Sequence, residues 1–203
     1  MRFVVILALA LLTGCSSGVR TPSGSETSAL HARAAIEAHD PERLQDALDR
    51  IVAWHEAAGT RTAGILRPAR DAGEREVDLA GFGFEIPDDL TILWDRTGGH
   101  DPDDAQAWFV WYHALLGVED ALAEHAFRQD IEYPPWPAHW MPVLVFEDEC
   151  YLVECTAEPV AARPVLLYDP VDGPRVAYTN LTALFFTHAR ALEEGAVWVE
   201  GPA

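Results

Sequence analysis

The N-terminus limits how much of the sequence can form a folded domain. Arg2 precedes a continuous apolar run from Phe3 to Leu12, which is the charged-then-apolar order of an export signal. The run is shorter than the roughly 20 apolar residues that a bilayer-spanning helix requires. Residues 16–28 are mostly Ser, Thr, Gly and Pro, and a segment of this composition buries too little apolar surface to pack. We therefore expect one folded domain, in residues 29–203, on a flexible tether.

One cysteine closes the apolar run. Leu12-Thr13-Gly14-Cys15, followed by Ser16, resembles the lipoprotein box of bacterial envelope proteins. The resemblance implies that residues 1–14 are a lipoprotein signal peptide and that cleavage leaves Cys15 as an N-terminus carrying lipid. Several acyl chains would anchor it stably, because each buried CH₂ contributes about 0.8 kcal/mol. Residues 15–28 are then the lipidated cysteine and its tether.

This interpretation also predicts a location. We expect a lipid-anchored membrane protein of the cell envelope, on the periplasmic side or at the cell surface. An ordinary secretory signal, or a buried first helix that contains Cys15, is the alternative interpretation.

Acids dominate the charged residues. The formal net charge is −19, from 14 Lys and Arg against 33 Asp and Glu. Nucleic acids and anionic lipid surfaces would repel such a domain, so we expect no nucleic-acid partner. Solubility is the simpler explanation of the charge, and a dedicated surface for a basic partner is the other.

Serine and lysine, two residues that often act in catalysis, are absent from the expected folded domain. Every Ser lies at or before Ser28, and the chain contains no Lys. Serine hydrolase chemistry, Schiff-base lysine chemistry and the lysine-dependent phosphate-binding loop are therefore excluded.

Capping residues and apolar spacing predict the helices. One predicted helix begins at Asp40-Pro41, continues with apolar residues at helical spacing, and ends at Gly59. Asn180 caps another that ends before Gly195. Further helices are predicted at about Asp71–Ala80, from Pro87 to Gly98-Gly99, and at Val118–Gln129.

Alternating and β-branched segments predict strands mainly in the C-terminal half. Val143–Phe146 and Cys150–Cys155 form a hairpin around Glu147-Asp148-Glu149. Ala107–Tyr112, Val165–Asp169 and Val176–Tyr178 are also predicted strands. Helices followed by strands and a last helix indicate an α+β fold with an antiparallel sheet.

Several short motifs resemble those of the SUKH superfamily, which includes the Smi/Knr-like cell-wall regulators and many bacterial immunity proteins. Trp140-Met141-Pro142 resembles its W-x-P motif. The other similar segments are Ile51–Trp54, Leu66–Ala69, Gly83–Leu90 through Gly99, Pro164–Tyr168, and Asn180–Leu184 through Ala196. The match spans roughly residues 44–197. Glu147-Asp148-Glu149 departs from the family's acidic-glycine turn, and an export signal is unusual among its members.

This resemblance implies a single SUKH-like domain in residues 29–203, with an antiparallel sheet flanked by N-terminal helices and a C-terminal helix. It also implies protein binding, commonly to a toxin that is neutralised by occlusion.

Cys150 and Cys155 are predicted to remain unpaired. In an extended strand, five residues at about 3.4 Å each place their Cα atoms roughly 17 Å apart and their side chains on opposite faces. A disulfide requires a Cα separation under about 7 Å. A bulge or turn that allowed pairing is the alternative.

No residue pattern indicates catalysis, a cofactor or a metal site. His55 and His188 lie near apolar helix stripes and are more simply core residues. The acids in Gly99–Asp104 are more simply a capped turn than a metal loop. We therefore expect a protein that is not an enzyme.

Binding residues are predicted from aromatic and acidic side chains. Trp136, in a proline-rich segment, and Trp140, at the start of the sheet, are the best candidates for a cleft-lining pair, although core packing is the simpler interpretation. Asp88, Asp89 and Asp95 could supply an acidic rim or be solvated helix acids.

Together these features predict an envelope-anchored lipoprotein that binds and neutralises a toxin. An envelope scaffold or regulatory lipoprotein that binds a wall component or another protein is the main alternative. A hydrolase acting on envelope material is the third. The sequence specifies neither the partner nor an oligomeric state.

Overall fold

A computed structural model describes residues 39–100, 108–130 and 136–196. The predicted signal peptide, Cys15 and the tether lie outside these residues, as do Asp101–Asp104. The helices are α1 Pro41–Ala58, α2 Arg61–Ile65, α3 Ala72–Leu79, α4 Asp88–Arg96, α5 Val118–Asp130 and α6 Leu181–Glu193. The strands are β1 Ala114–Leu115, β2 Trp140–Phe146, β3 Glu149–Glu154, β4 Val165–Asp169 and β5 Gly173–Tyr178. Across these three ranges, no helix is both long and apolar enough to cross a bilayer.

The five strands form one sheet in the order β1-β2-β3-β4-β5, and every neighbouring pair is antiparallel. The predicted α+β class, with helices flanking an antiparallel sheet, is confirmed. The register places Cys150 opposite both Val145 and Tyr168. It therefore aligns these three side chains on one face of the sheet.

The main core lies between the other face of the sheet and helices α1, α4 and α6. These helices contribute apolar residues at helical spacing, which is why their predicted stripes are buried. The fully buried members include Leu44, Leu48, Ile51, Leu90, Leu93, Trp94, Leu184, Phe185, Met141 and Val153. On the opposite face a smaller cluster contains Trp136, Trp140, Cys150, Leu152, Leu166 and Tyr168.

Local capping chemistry sets the ends of the two longest core helices. The Asp40 side chain accepts a hydrogen bond from the Arg43 backbone N–H at 3.0 Å. Asn180 accepts one from the Ala183 N–H at 2.8 Å. Gly59 ends α1 in the left-handed region at φ 65°, where glycine is favoured. The predicted starts of α1 and α6 are confirmed.

The predicted strand at Ala107–Tyr112 is wrong over its described part, residues 108–112. The chain there makes a tight turn in which the His113 N–H donates to the Val110 carbonyl at 2.8 Å, and Trp111 has a φ of 54°. Consecutive strand residues face opposite sides of a sheet. Phe109 and Val110 are instead both buried in the main core, and the strand begins only at Ala114.

The two cysteines are both free. Cys150 belongs to the smaller cluster and Cys155 to the main core. The two thiols thus lie on opposite sides of the sheet, in agreement with the extended geometry expected between them.

Three glycines allow the backbone to cross itself beside β1. A Cβ on Gly117 would overlap the carbonyl oxygen of Gly98 and lie 2.7 Å from its carbonyl carbon. A Cβ on Gly99, whose φ is 75°, would lie 2.6 Å from the Leu115 carbonyl oxygen. Gly98 and Gly99 therefore do more than end α4, because they let residues 97–100 pass against residues 115–117.

Replacing Gly117 with alanine should destabilise the protein strongly. The methyl group meets backbone, which cannot rotate away, and we expect a loss of about 3 kcal/mol or more. Gly64→Ala is the matched control, because Gly64 lies within α2 and a Cβ there meets nothing within 4 Å. The control should be neutral or stabilising by up to about 1 kcal/mol. Urea unfolding followed by tryptophan fluorescence measures both, and equal stability of the two variants would contradict the crossing.

Candidate interaction surface

Trp136 and Trp140 lie together, as predicted for a pair, but they are packed. Their ring centroids are 5.1 Å apart at 90°, and Tyr168 lies 5.2 Å from Trp136. Only 7% and 9% of the two tryptophans is exposed. The pair therefore fills the smaller core, where large rings bury apolar area, and does not line an open cleft.

Arg128 completes this smaller cluster. Its guanidinium lies 5.1 Å above the Trp136 ring and 5.8 Å from the Tyr168 ring. It also donates to Glu124 Oε1 at 2.5 Å and to the Asp148 carbonyl at 3.1 Å. Since both indole N–H groups donate within the protein, to the Trp140 carbonyl and to Glu154, the cluster is satisfied internally.

The three predicted acids on α4 do not form one rim. Asp88 and Asp95 are exposed, about two turns apart on the same helix face. Asp95 Oδ1 forms an ion pair with Arg75 Nη1 at a distance of 2.6 Å. Asp89 is fully buried. α4 packs into the main core and the two tryptophans into the smaller one, so the acids and Trp136–Trp140 lie on opposite sides of the sheet.

Asp89 joins two helices. Its Oδ2 accepts a hydrogen bond from the Leu181 N–H at 3.2 Å, at the first residue of α6. Burial raises the pKa of the Asp89 carboxyl to about 7. A buried carboxyl that bridges the starts of α4 and α6 is a structural residue and is not accessible to a partner.

Buried histidines surround the turn at residues 108–113. The His55 ring stacks 6.2 Å from Phe109, and His188 lies 5.2 Å from the Trp111 ring. His113 lies 4.8 Å from Tyr151. The prediction that His55 and His188 are core residues is confirmed. Burial lowers the pKa of His55 and His113 to about 4 and that of His188 to about 3.

Both thiols of the described ranges are buried. Burial raises the pKa of both the Cys150 and Cys155 thiols to about 12, so neither supplies a thiolate near neutral pH. Within these ranges, no group of three or more His, Cys, Asp and Glu side chains could hold a metal ion.

An open pocket of about 250 Å³ lies beside the glycine crossing, at the start of α5. Its charged walls are already paired, because Arg67 binds Asp120 and Arg70 Nη1 lies 3.0 Å from Glu119. The two arginines of the pocket are therefore already bound to carboxylates of the same chain, which take the place that a bound anion would have.

Tyr112 and Phe146 are exposed aromatic residues that the sequence did not reveal, and together with the half-buried Trp108 they form one aromatic cluster. Tyr112 is 65% exposed and Phe146 is 44% exposed. The Tyr112 ring lies 6.1 Å from both the Trp108 ring and the Phe146 ring. Tyr112 occupies the second central position of the turn closed by His113, and its side chain is exposed there. Interpreting residues 107–112 as a strand concealed this exposure.

Acids border this aromatic cluster. Phe146 pairs with Glu149 across the end of the β2–β3 hairpin, and the two-residue turn between them is Glu147-Asp148. Glu147, with φ 52°, and Asp148 are both exposed. Glu149 Oε1 lies 3.0 Å from His113 Nε2, directly behind the rings. We call Trp108, Tyr112, Phe146 and residues 147–149 the aromatic–acidic surface.

No protein-family model and no curated protein matches this chain.

The buried histidines and Asp89 should make stability depend on pH. Histidines in the unfolded chain bind protons near pH 6.5, but His55 and His113 in the folded chain do so only near 4. Their stabilisation is therefore complete above about pH 6.5 and lost as the pH falls towards 4. Asp89 acts in the opposite sense between its ordinary pKa of 3.8 and its folded value of about 7.

With His188 included, three histidines oppose one carboxyl. We expect the free energy of unfolding to fall by about 2 kcal/mol between about pH 6 and pH 5, since each group contributes at most about 1.4 kcal/mol per pH unit and the unfolded histidines are already largely protonated at pH 6. Asp89→Asn should steepen this fall, because it removes the opposing contribution. Urea unfolding at a series of pH values measures both slopes, and a flat profile between pH 6 and 5 would show that these histidines are not buried neutral.

Proposed function

We propose that this chain is an envelope-anchored lipoprotein that binds another protein, and that it is of the immunity type, neutralising a toxin outside the cytoplasm. The observation that carries the proposal is the aromatic cluster beside an acidic turn, in which Tyr112 and Phe146 are exposed and Trp108 is half-buried. Contiguous exposed apolar surface marks interaction sites, whereas singly exposed apolar residues are common, and tyrosine and tryptophan are enriched among residues that dominate protein interfaces.

The titratable groups of the described ranges support binding over catalysis. A nucleophile or general base must be accessible and have a pKa suited to its task. The thiols are buried with raised pKa values, and His55, His113 and His188 are buried and neutral. Tyr112, Phe146, Glu147 and Asp148, by contrast, are open to solvent.

Two further features favour the immunity type. The resemblance of residues 44–197 to the SUKH superfamily implies a protein-binding domain, and the α+β architecture agrees with that resemblance. A net charge of −19 suits a basic target and speeds its electrostatic capture. The lipid on Cys15 would place this surface at the membrane, where an incoming toxin is met before it acts.

The anchor is tested by the mature N-terminus. Mass spectrometry of the membrane fraction should find Cys15 as a lipid-modified first residue, with residues 1–14 removed. Cys15→Ala should abolish labelling by radioactive palmitate, whereas Cys155→Ala, at a buried thiol, should leave it unchanged. An unmodified Cys15 or an intact Met1 would exclude lipoprotein processing.

The immunity role is tested in cells. Deletion of the gene should sensitise cells to a toxin that acts outside the cytoplasm, and the full chain should restore protection only when it is lipidated. Crosslinking in intact cells should recover the toxin. Recovery of a resident envelope protein or a wall component, without altered sensitivity, would favour the scaffold role and contradict immunity.

A further inference from the structure

We propose that the aromatic–acidic surface binds a basic segment of the partner protein, with a cationic side chain placed over the Tyr112 and Phe146 rings and paired with the carboxylates of residues 147–149. This inference rests on the proposed protein-binding function and specifies the surface and the chemistry of the partner. It is supported by the geometry of the rings, their charge environment and the rigidity of the segments that present them.

Two segments distant in sequence assemble the surface. The turn at residues 108–113 supplies Trp108 and Tyr112, and the β2–β3 hairpin supplies Phe146. The ring centroids are 6.1 Å apart at each contact. A row of three rings at this spacing offers a face longer than one side chain, which fits an extended segment of a partner.

The charges beside the rings select a cationic segment. Glu147 and Asp148 are exposed at the hairpin turn immediately after Phe146, and Glu149 is partly exposed. Arg128, on the adjoining helix, reaches this turn through a hydrogen bond to the Asp148 backbone carbonyl at 3.1 Å, but its guanidinium is buried beside Trp136 and Tyr168 and is paired with Glu124. Rings flanked by carboxylates attract a cation in two ways: the ring quadrupole attracts it electrostatically, and the carboxylates form ion pairs with it.

The protein uses the same chemistry internally. Arg43 lies 3.6 Å above the Phe186 ring, and Arg128 lies 5.1 Å above Trp136 beside Glu124. In the second case a guanidinium is held between an aromatic face and a carboxylate. The aromatic–acidic surface presents this arrangement to solvent, with the guanidinium or ammonium to be supplied by a partner. Nucleic acids and anionic lipid are disfavoured because the same carboxylates repel phosphate.

The surface is held in shape before binding. Trp111, next to Tyr112, packs against buried His188 at 5.2 Å. The buried His113 ring lies 6.0 Å from Phe146 and 4.8 Å from Tyr151. Rings presented by a fixed turn lose less conformational entropy on binding than rings on a mobile loop.

Site-specific photocrosslinking in intact cells tests the surface. A photoreactive amino acid replaces Tyr112 or Phe146 in the full lipidated chain, and Phe127 serves as the control because it is 63% exposed on α5. Positions 112 and 146 should crosslink to a protein segment with net positive charge, and position 127 should not. Adducts only at position 127 would retain protein binding but overturn this surface. Absence of adducts at positions 112 and 146 would overturn this surface, and the protein-binding function would fall with it if general crosslinking in intact cells also recovers no partner. Adducts to a second copy of this chain would replace the proposal with self-association.

Direct binding provides the second measurement. The probe is a synthetic peptide of alternating Arg and Gly, added to the purified full chain at about 0.15 M salt. Tyr112→Ala combined with Phe146→Ala should weaken binding at least about tenfold. Glu147→Gln combined with Asp148→Asn should weaken it about threefold or more and reduce its dependence on salt.

Matched variants separate the surface from the general charge. Phe127→Ala removes an exposed ring elsewhere, and Glu56→Gln combined with Glu76→Gln removes two exposed helix acids. Both should change the affinity less than about twofold. Equal losses in control and surface variants, or no binding of the probe by the unmodified chain, would overturn the proposal. Unchanged circular dichroism and melting of all variants confirms folding.

Discussion

The fold depends on the backbone contact between Gly98 and Gly117. Residues 97–100 are held on one side by the hydrogen bond from the Gly98 N–H to the Arg67 carbonyl at 2.9 Å. On the other side the His100 N–H donates to the Leu115 carbonyl at 2.7 Å. A side chain at the crossing would force the backbone segments 97–100 and 115–117 apart. The end of α4, the edge strand β1 and the start of α5 therefore converge at one point, and the turn that presents Tyr112 leads directly into β1.

Features decided within a few residues could be predicted from the sequence. The side chains of Asp40 and Asn180 cap helices by accepting hydrogen bonds from N–H groups three residues ahead. Their effect can therefore be predicted from the adjacent residues alone. Strand alternation is equally local, and it places Cys150 and Cys155 on opposite sides of the sheet. The helix and strand order that defines the α+β class follows from such signals. The glycine crossing does not, because Gly98 and Gly117 meet through tertiary structure.

The aromatic residues show why the interaction surface was harder to predict than the fold. Trp and Tyr dominate both cores and interfaces, because each combines a large apolar area with one polar group. Composition therefore cannot distinguish Trp136, which fills the smaller core, from Tyr112, which is exposed. The difference is made by backbone geometry: a positive φ at Trp111 closes a turn and sends Tyr112 outward. A run of five adjacent aromatic and β-branched residues, 108–112, had instead the local pattern of a strand.

The buried histidines connect stability with the aromatic–acidic surface. His188 supports Trp111, and His113 lies beneath Phe146 with Glu149 at 3.0 Å. Burial lowers the pKa of His113 to about 4, so at neutral pH the ring supports Phe146 without adding charge. If His113 is protonated, its charge neutralises Glu149 and opposes a cation above the rings. Acid would therefore lower both the stability of the fold and the negative potential that attracts a basic partner, because protonation of the same buried histidine contributes to each effect.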